Sequence, residues 1–311
     1  MTFTAYFLSQ QYEKLAELGD RLGEIEKMID WEVFRPILSE IYQDDPLYGG
    51  RPHTDEVILL KLLILQQWYG LSDYELERQA LDRVSFFIFL GKPGSIPERS
   101  TIWRFRERLI KYNKEKAIWD ELQRQIDEMG LTIKRGMIQD ATFITSDPGH
   151  AKQDKPRGEE ARTRRSRDGT WAKKGQKSQF GYKLHTVVDK ETQIIRRFET
   201  TTASLHDSNV DLSEPGETIY RDRGYFGVTV KASMDKTMTK ATRNHPLPIK
   251  SKRRNKAISR VRSLVERPYA VMKRVFHAGH VMVTTVERVN VKCLFSCISY
   301  DLYRIYGLCH R

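Results

Sequence analysis

Apolar residues crowd the stretch from Leu59 to Tyr69 with almost no regard to helical phase, so a helix here is expected to be buried on all sides. Gly70-Leu71 breaks the run. Ser72, with Glu75 three residues on, forms a capping-box pattern that starts a second helix, Asp73 to Leu81. Gly91 to Pro97 reads as a loop by composition. Ser100 then caps a helix to about Tyr112, in which Ile102, Phe105 and Leu109 form one face while Arg104, Arg108 and Lys111 line another. A basic helix after two packed helices suits a helix-turn-helix reader of DNA, and equally a solvated basic face. Residues 1 to 130 thus read as an all-helical domain.

Beyond a coil at about Met129 to Lys134 the period changes. Strands are expected at 137–145, 180–189, 193–201, 217–222 and 237–243, with a short helical stretch near 206–213. A mostly helical pattern then covers Ile258 to Lys273, although Pro268 requires a kink or a restart there. Three adjacent strands, a mixed fourth and fifth and flanking helices make an α/β layer over residues 131–311.

Charge adds a partner. The chain of 311 residues has a net charge of +12, yet residues 1 to 50 hold ten acids and four bases, so the positive excess lies entirely beyond them. A polyanion such as DNA is the natural partner, although a ribosomal or membrane-surface role has the same signature. Two segments concentrate the charge, and both read as basic loops: 151–178, with Lys173 and Lys174, and 249–257, with Lys252, Arg253 and Arg254. Trp171 lies in the first. No apolar run reaches membrane-span length and the first residues lack a signal-like pattern, so a cytoplasmic, nucleoid-associated protein is expected. Cys293 and Cys297, one helical turn apart, read as core, and no disulfide is assigned.

Three carboxylates stand in contexts that suit metal ligation. Asp140 interrupts the apolar strand Gly136 to Ile144, Asp222 ends a strand before Gly224, and Glu266 shares a helical face with Arg262 and Lys273, all three within about 40° of one another. Such a set can hold two Mg²⁺ ions about 3.5 to 4 Å apart for in-line phosphoryl transfer, with Mn²⁺ as a substitute. Taken singly, each has a plainer reading: a locally paired Asp140, a turn aspartate at 222, a surface pair of Arg262 with Glu266. His185, His206 and His245 lack close ligand spacing.

The sequences around these carboxylates resemble the DDE transposases of prokaryotic insertion sequences, most closely the insertion-sequence-five branch. Asp140-Ala141-Thr142 is similar to the family's first aspartate strand, Asp222-Arg223-Gly224-Tyr225 to its Asp-x-Gly-Tyr step, and Arg262, Glu266 and Lys273 to its Arg, Glu, Lys signature. Gly181 to His185, His206 to Ser208, Trp31 to Arg35 and Gly50 to Pro52 extend the likeness over nearly the whole chain. Ser259 stands where related signatures have tyrosine.

The resemblance implies an RNase H-like catalytic domain with Asp140, Asp222 and Glu266 on metal, Arg262 and Lys273 near phosphates, and an N-terminal domain that recognises terminal inverted repeats. It further implies strand transfer into target DNA and a homo-oligomer on that DNA. A catalytically silent DNA-binding regulator, or an RNase H-like nuclease that cuts without joining, remains open at this level.

Overall fold

The computed structural model describes residues 3–42, 53–132, 136–149, 167–243 and 245–310. Residues 151–166 of the first basic segment and the Gly50 to Pro52 motif lie outside the described residues. The chain divides into one unit of residues 1–130 with 305–311 and a second of 131–304.

The first unit is helical. α1 (Phe3–Glu17), α2 (Arg21–Met28) and α3 (Phe34–Ser39) precede α4 (Glu56–Tyr69), whose residues from Glu56 to Trp68 are nearly all buried. Asp55 caps α4 by accepting from the amides of Val57 and Ile58, and Gly70 ends it in the left-handed conformation at φ 63°. Ser72 accepts from the Glu75 amide to start α5 (Asp73–Asp82), and α6 (Val84–Phe89) follows. α7 (Arg99–Lys111) buries Ile102, Phe105 and Leu109 as the periodicity expects, but its N-cap is Glu98 rather than Ser100. α8 (Glu115–Glu128) closes the series.

The second unit is a mixed sheet. β1 (Met137–Ser146), β3 (Lys177–Asp189) and β4 (Ile195–Thr202) form an antiparallel meander, and β5 (Thr218–Arg221) and β6 (Met234–Thr237) continue it in parallel beside β1. β2 (Thr170–Lys174) pairs with the start of β3, and β7 (His280–Val281) with the end of β1. Gly181, at φ 151°, marks where β3 changes partners from β2 to β4. A Cβ there would stand 2.1 Å from the Ile144 carbonyl, so only glycine fits. α9 (Ile249–Arg262), α10 (Glu266–Arg274) and α11 (Val286–Cys309) follow. α11 is tied to the β3–β4 turn: Asp301 accepts from the Ile195 amide, and Tyr300 and Arg304 donate to the carbonyls of Gln193 and Thr192. Cys293 and Cys297 are buried in it.

Several expectations are corrected. The strand at 237–243 lies earlier, at Met234–Thr237, because the Asn255 amide captures both backbone groups of Thr239 and takes the chain out of the sheet. The basic segment 249–257 is the first part of helix α9, where Asn255 and Ile258 face inward and lysine and arginine suit helix as well as loop. In the segment 151–178, residues 170–174 and 177–178 belong to the β2–β3 hairpin, which carries Trp171, Lys173 and Lys174. The helical stretch near 206–213 is reduced to a 3₁₀ turn at Asp207–Asn209. Among the described residues, no helix is long and apolar enough to cross a membrane.

Candidate active site

Register brings the first two carboxylates together. Ile138 pairs with Tyr220 across the parallel β1–β5 ladder, and Asp140 and Asp222 each lie two residues farther along. Neighbouring strands are about 4.8 Å apart, so the two aspartates stand at one level on adjacent chains. Asp140 is largely buried, with its carboxyl pushed up from the ordinary range first by burial and also by Asp222, against the opposing pull of Arg262. Asp222 is half-buried and heads a 3₁₀ turn, Arg223–Tyr225, with Oδ1 accepting from the Gly224 amide at 2.6 Å. A Cβ on Gly224 would approach that oxygen to 2.9 Å, so a side chain there would shift the carboxylate. Tyr225 is buried beneath the turn, and the fully buried Arg221 precedes it, donating to Thr237 Oγ1.

The helical half of the site changes winding just before Pro268, where the sequence leads one to expect a kink or a restart. α9 ends at Arg262, a 3₁₀ turn covers Ser263–Val265, and α10 restarts at Glu266, which puts Pro268 in the first turn of a new helix, where proline is tolerated. Glu266 is exposed. Arg262 does not stand free for phosphate: its Nη2 lies 2.5 Å from Asp140 Oδ2. Burial lowers the guanidinium's proton affinity, but Asp140, Asp222 and Glu266 together outweigh it and raise it above the ordinary value. All three carboxylates therefore act on one cation. Lys273 lies two turns along α10, half-buried, with its stem beside Gly279.

Three carboxylates without a soft ligand suit a hard divalent cation in kind. With Asp140 ion-paired to Arg262, they are not drawn around one point, and among the described residues no three His, Cys, Asp or Glu side chains close on a metal position. His185 is buried against Thr201 Oγ1, whereas His206 and His245 are exposed elsewhere.

Beside the Asp222 turn is a cleft of about 470 Å³ lined by Arg223, Lys252, Lys256, Ser259, Arg260 and other residues of the same faces. Spacing of 252, 256, 259 and 260 along α9 is a helical stripe, and the cleft joins Lys252 and Lys256 of the basic segment to Arg260 and Arg223, which lie outside that segment. Arg253 is exposed, but Arg254 donates to the Thr237 carbonyl at 2.8 Å and ties α9 to the end of β6. Lys173 is exposed on the hairpin, and Trp171 packs edge-on against Phe180 at 5.4 Å between ring centres. In the first unit, Arg104 and Arg108 line a cleft of about 520 Å³ with His53, Ser100 and Thr101. Arg104 is exposed, the Arg108 guanidinium lies 4.5 Å from the Tyr42 ring centre, and Lys111 donates to the Tyr112 hydroxyl.

An antiparallel meander extended by parallel strands, with flanking helices, is an RNase H-like fold. Family comparison is more specific. Residues 132–302 match the transposase DDE domain, and residues 10–108 match a transposase domain (DUF772). The chain belongs to the DDE transposase family, whose members cleave DNA and transfer its strands with the help of divalent metal ions. A cryo-EM structure of a piggyBac transposase synaptic complex with hairpin DNA is similar at a TM-score of 0.38 and 11% identity, over 92% of this chain and 73% of that one. So distant a likeness carries no weight for the chemistry of the site.

Proposed function

We propose that this chain is the transposase of a prokaryotic insertion sequence of the insertion-sequence-five branch. In this reading the first unit recognises the terminal inverted repeats, and the second hydrolyses phosphodiester bonds at the ends and joins the freed 3′-hydroxyls to target DNA. The observation that carries it is the level placement of Asp140 on β1 and Asp222 just past the end of the adjacent parallel strand β5.

Asp140, Asp222 and Glu266 would hold two Mg²⁺ ions, for which Mn²⁺ substitutes. When bound, such ions activate the attacking oxygen and stabilise the leaving one. The chain's own residues do the rest. The Gly224 amide orients Asp222, and Arg262 offsets part of the cost of burying the Asp140 carboxylate. Lys252, Lys256, Arg260 and Arg223 neutralise backbone phosphates along the α9 cleft. The first turns of α9 carry Lys250, Lys252, Arg253 and Arg254 and no acid, all at the positive end of the helix dipole, so a phosphate there relieves repulsion within the helix. Two ends must be brought together, so the protein acts as a homo-oligomer on DNA, in the nucleoid.

Supplying a pre-cut transposon end with a free 3′-hydroxyl and a target plasmid in Mg²⁺ tests the reading. Covalently joined products are expected. Cutting of uncut ends without joining would indicate a nuclease, and binding with neither reaction would indicate a regulator.

A further inference from the structure

A buried phenol sits between the elements that carry the first and third carboxylates. Tyr269 stands on α10 three residues beyond Glu266, on the face that buries Pro268 and Met272. Its hydroxyl donates to the backbone carbonyl of Asp140 at 2.8 Å. Having given its one proton there, the same oxygen accepts from the Thr186 hydroxyl, also at 2.8 Å. Asp140 and Thr186 are direct partners across the antiparallel β1–β3 ladder, so their side chains leave the same face of the sheet. One oxygen thus pins α10 to two strands at the level of Asp140.

Packing alone does not call for this oxygen. Phenylalanine would fill nearly the same volume without burying a polar group, and both bonds of the hydroxyl go to the Asp140–Thr186 pair. α10 has need of such a pin. The 3₁₀ turn at Ser263–Val265, itself in right-handed helical backbone, changes the winding between α9 and α10, so the rotation of α10 on the sheet is set by its own contacts as well as by the preceding helix. Side chains at i and i+3 of a helix share a face about 5 to 6 Å apart, so a roll of α10 about its axis moves Glu266 with Tyr269. Metal–oxygen distances tolerate only about 0.2 Å.

We propose that Tyr269 is a positioning residue whose hydroxyl fixes the height and rotation of α10 on β1, and thereby the separation of the Glu266 and Asp140 carboxylates. This rests on the reading of those two residues as metal ligands.

The test uses the full-length protein and Mn²⁺ alone, followed by calorimetry and by the resonance spectrum of bound Mn²⁺, beside melting curves and metal titrations of end cleavage. Tyr269→Phe should bind Mn²⁺ about tenfold more weakly, a loss typical of groups that orient metal ligands. Half-maximal cleavage should need correspondingly more Mn²⁺, with the rate recovering at saturation. Thr186→Val, which keeps the phenol but removes one of its two bonds, should shift Mn²⁺ affinity in the same direction by less. Should Tyr269→Phe fold too poorly to assay, Thr186→Val decides. Wild-type Mn²⁺ affinity in a folded Tyr269→Phe, or in Thr186→Val where that variant decides, overturns the proposal and leaves the ligand assignment standing. Wild-type affinity in Glu266→Gln overturns the ligand assignment and the proposal with it.

Discussion

Arg262 is ion-paired with Asp140 through Nη2 and Oδ2 at 2.5 Å, with both side chains mostly buried. The arginine that spacing groups with Glu266 as a phosphate contact therefore holds the first carboxylate of the site. Removing one partner of such a pair leaves the other buried without compensation. Arg262→Gln should lower stability by about 2 kcal/mol or more at neutral pH, and adding Asp140→Asn to it should restore part of the loss. Denaturant melts of the two singles and the double decide this, and strictly additive losses would mean that the pair contributes no coupling.

His185 links stability to pH. Burial, helped by Lys183 and opposed by Asp207, lowers its pKa to about 4 from an ordinary 6.5. Between those values the unfolded chain binds the extra proton and the folded one does not. Stability is therefore full above about pH 6.5 and falls as pH drops toward 4, by up to about 3 kcal/mol from this residue. A His185→Gln variant should show a shallower decline than wild type over that window in melting curves, and an equal slope would assign the acid sensitivity elsewhere.

Within the run Lys252, Arg253 and Arg254, the structure separates two roles. Lys252→Ala with Lys256→Ala and Arg260→Ala should flatten the slope of log affinity against log salt by up to about 0.9 for each phosphate no longer neutralised, without altering which end sequence is preferred. Arg254→Ala should instead lower the melting temperature, because it unties α9 from Thr237. The check is salt titration of DNA binding beside thermal unfolding, and an unchanged slope in the triple variant would make this a merely solvated face.

End recognition makes a distinct demand on α7. Arg104 is exposed, so Arg104→Ala in the full chain should reduce the preference for repeat over random DNA by about 1 to 3 kcal/mol if it contacts a base edge. Equal loss on both DNAs would make Arg104 a backbone contact. Arg108→Ala also removes the interaction with the Tyr42 ring and so should lower stability as well.

The sequence made the sheet's centre legible for a physical reason: Asp140 is a charge inside an apolar strand, and Asp222 stands where a short strand ends before Gly224. Pro268 signalled an interruption of the helix but not its place, which is the turn Ser263–Val265 just before it, because a single 3₁₀ turn barely disturbs a 3.6-residue pattern. The sequence misplaced β6 because Thr237 and Thr239 carry strand propensity, while the residue that draws the chain off the sheet, Asn255, lies sixteen positions away. Arg262's pairing with Asp140 and Tyr269's with Thr186 are long-range interactions that no local spacing encodes. For Tyr269 the only signal was a polar tip on an otherwise buried helix face.

Cleavage of a labelled transposon end in Mg²⁺, measured beside a gel shift without metal, bears most directly on the three carboxylates. Asp140→Asn, Asp222→Asn and Glu266→Gln each remove a negative oxygen donor with little change of shape, and Asp140→Asn also gives up its ion pair with Arg262. Each should reduce cleavage to background while the end is still bound. Near wild-type cleavage by any one of them would remove that residue from the metal site and contradict the assignment.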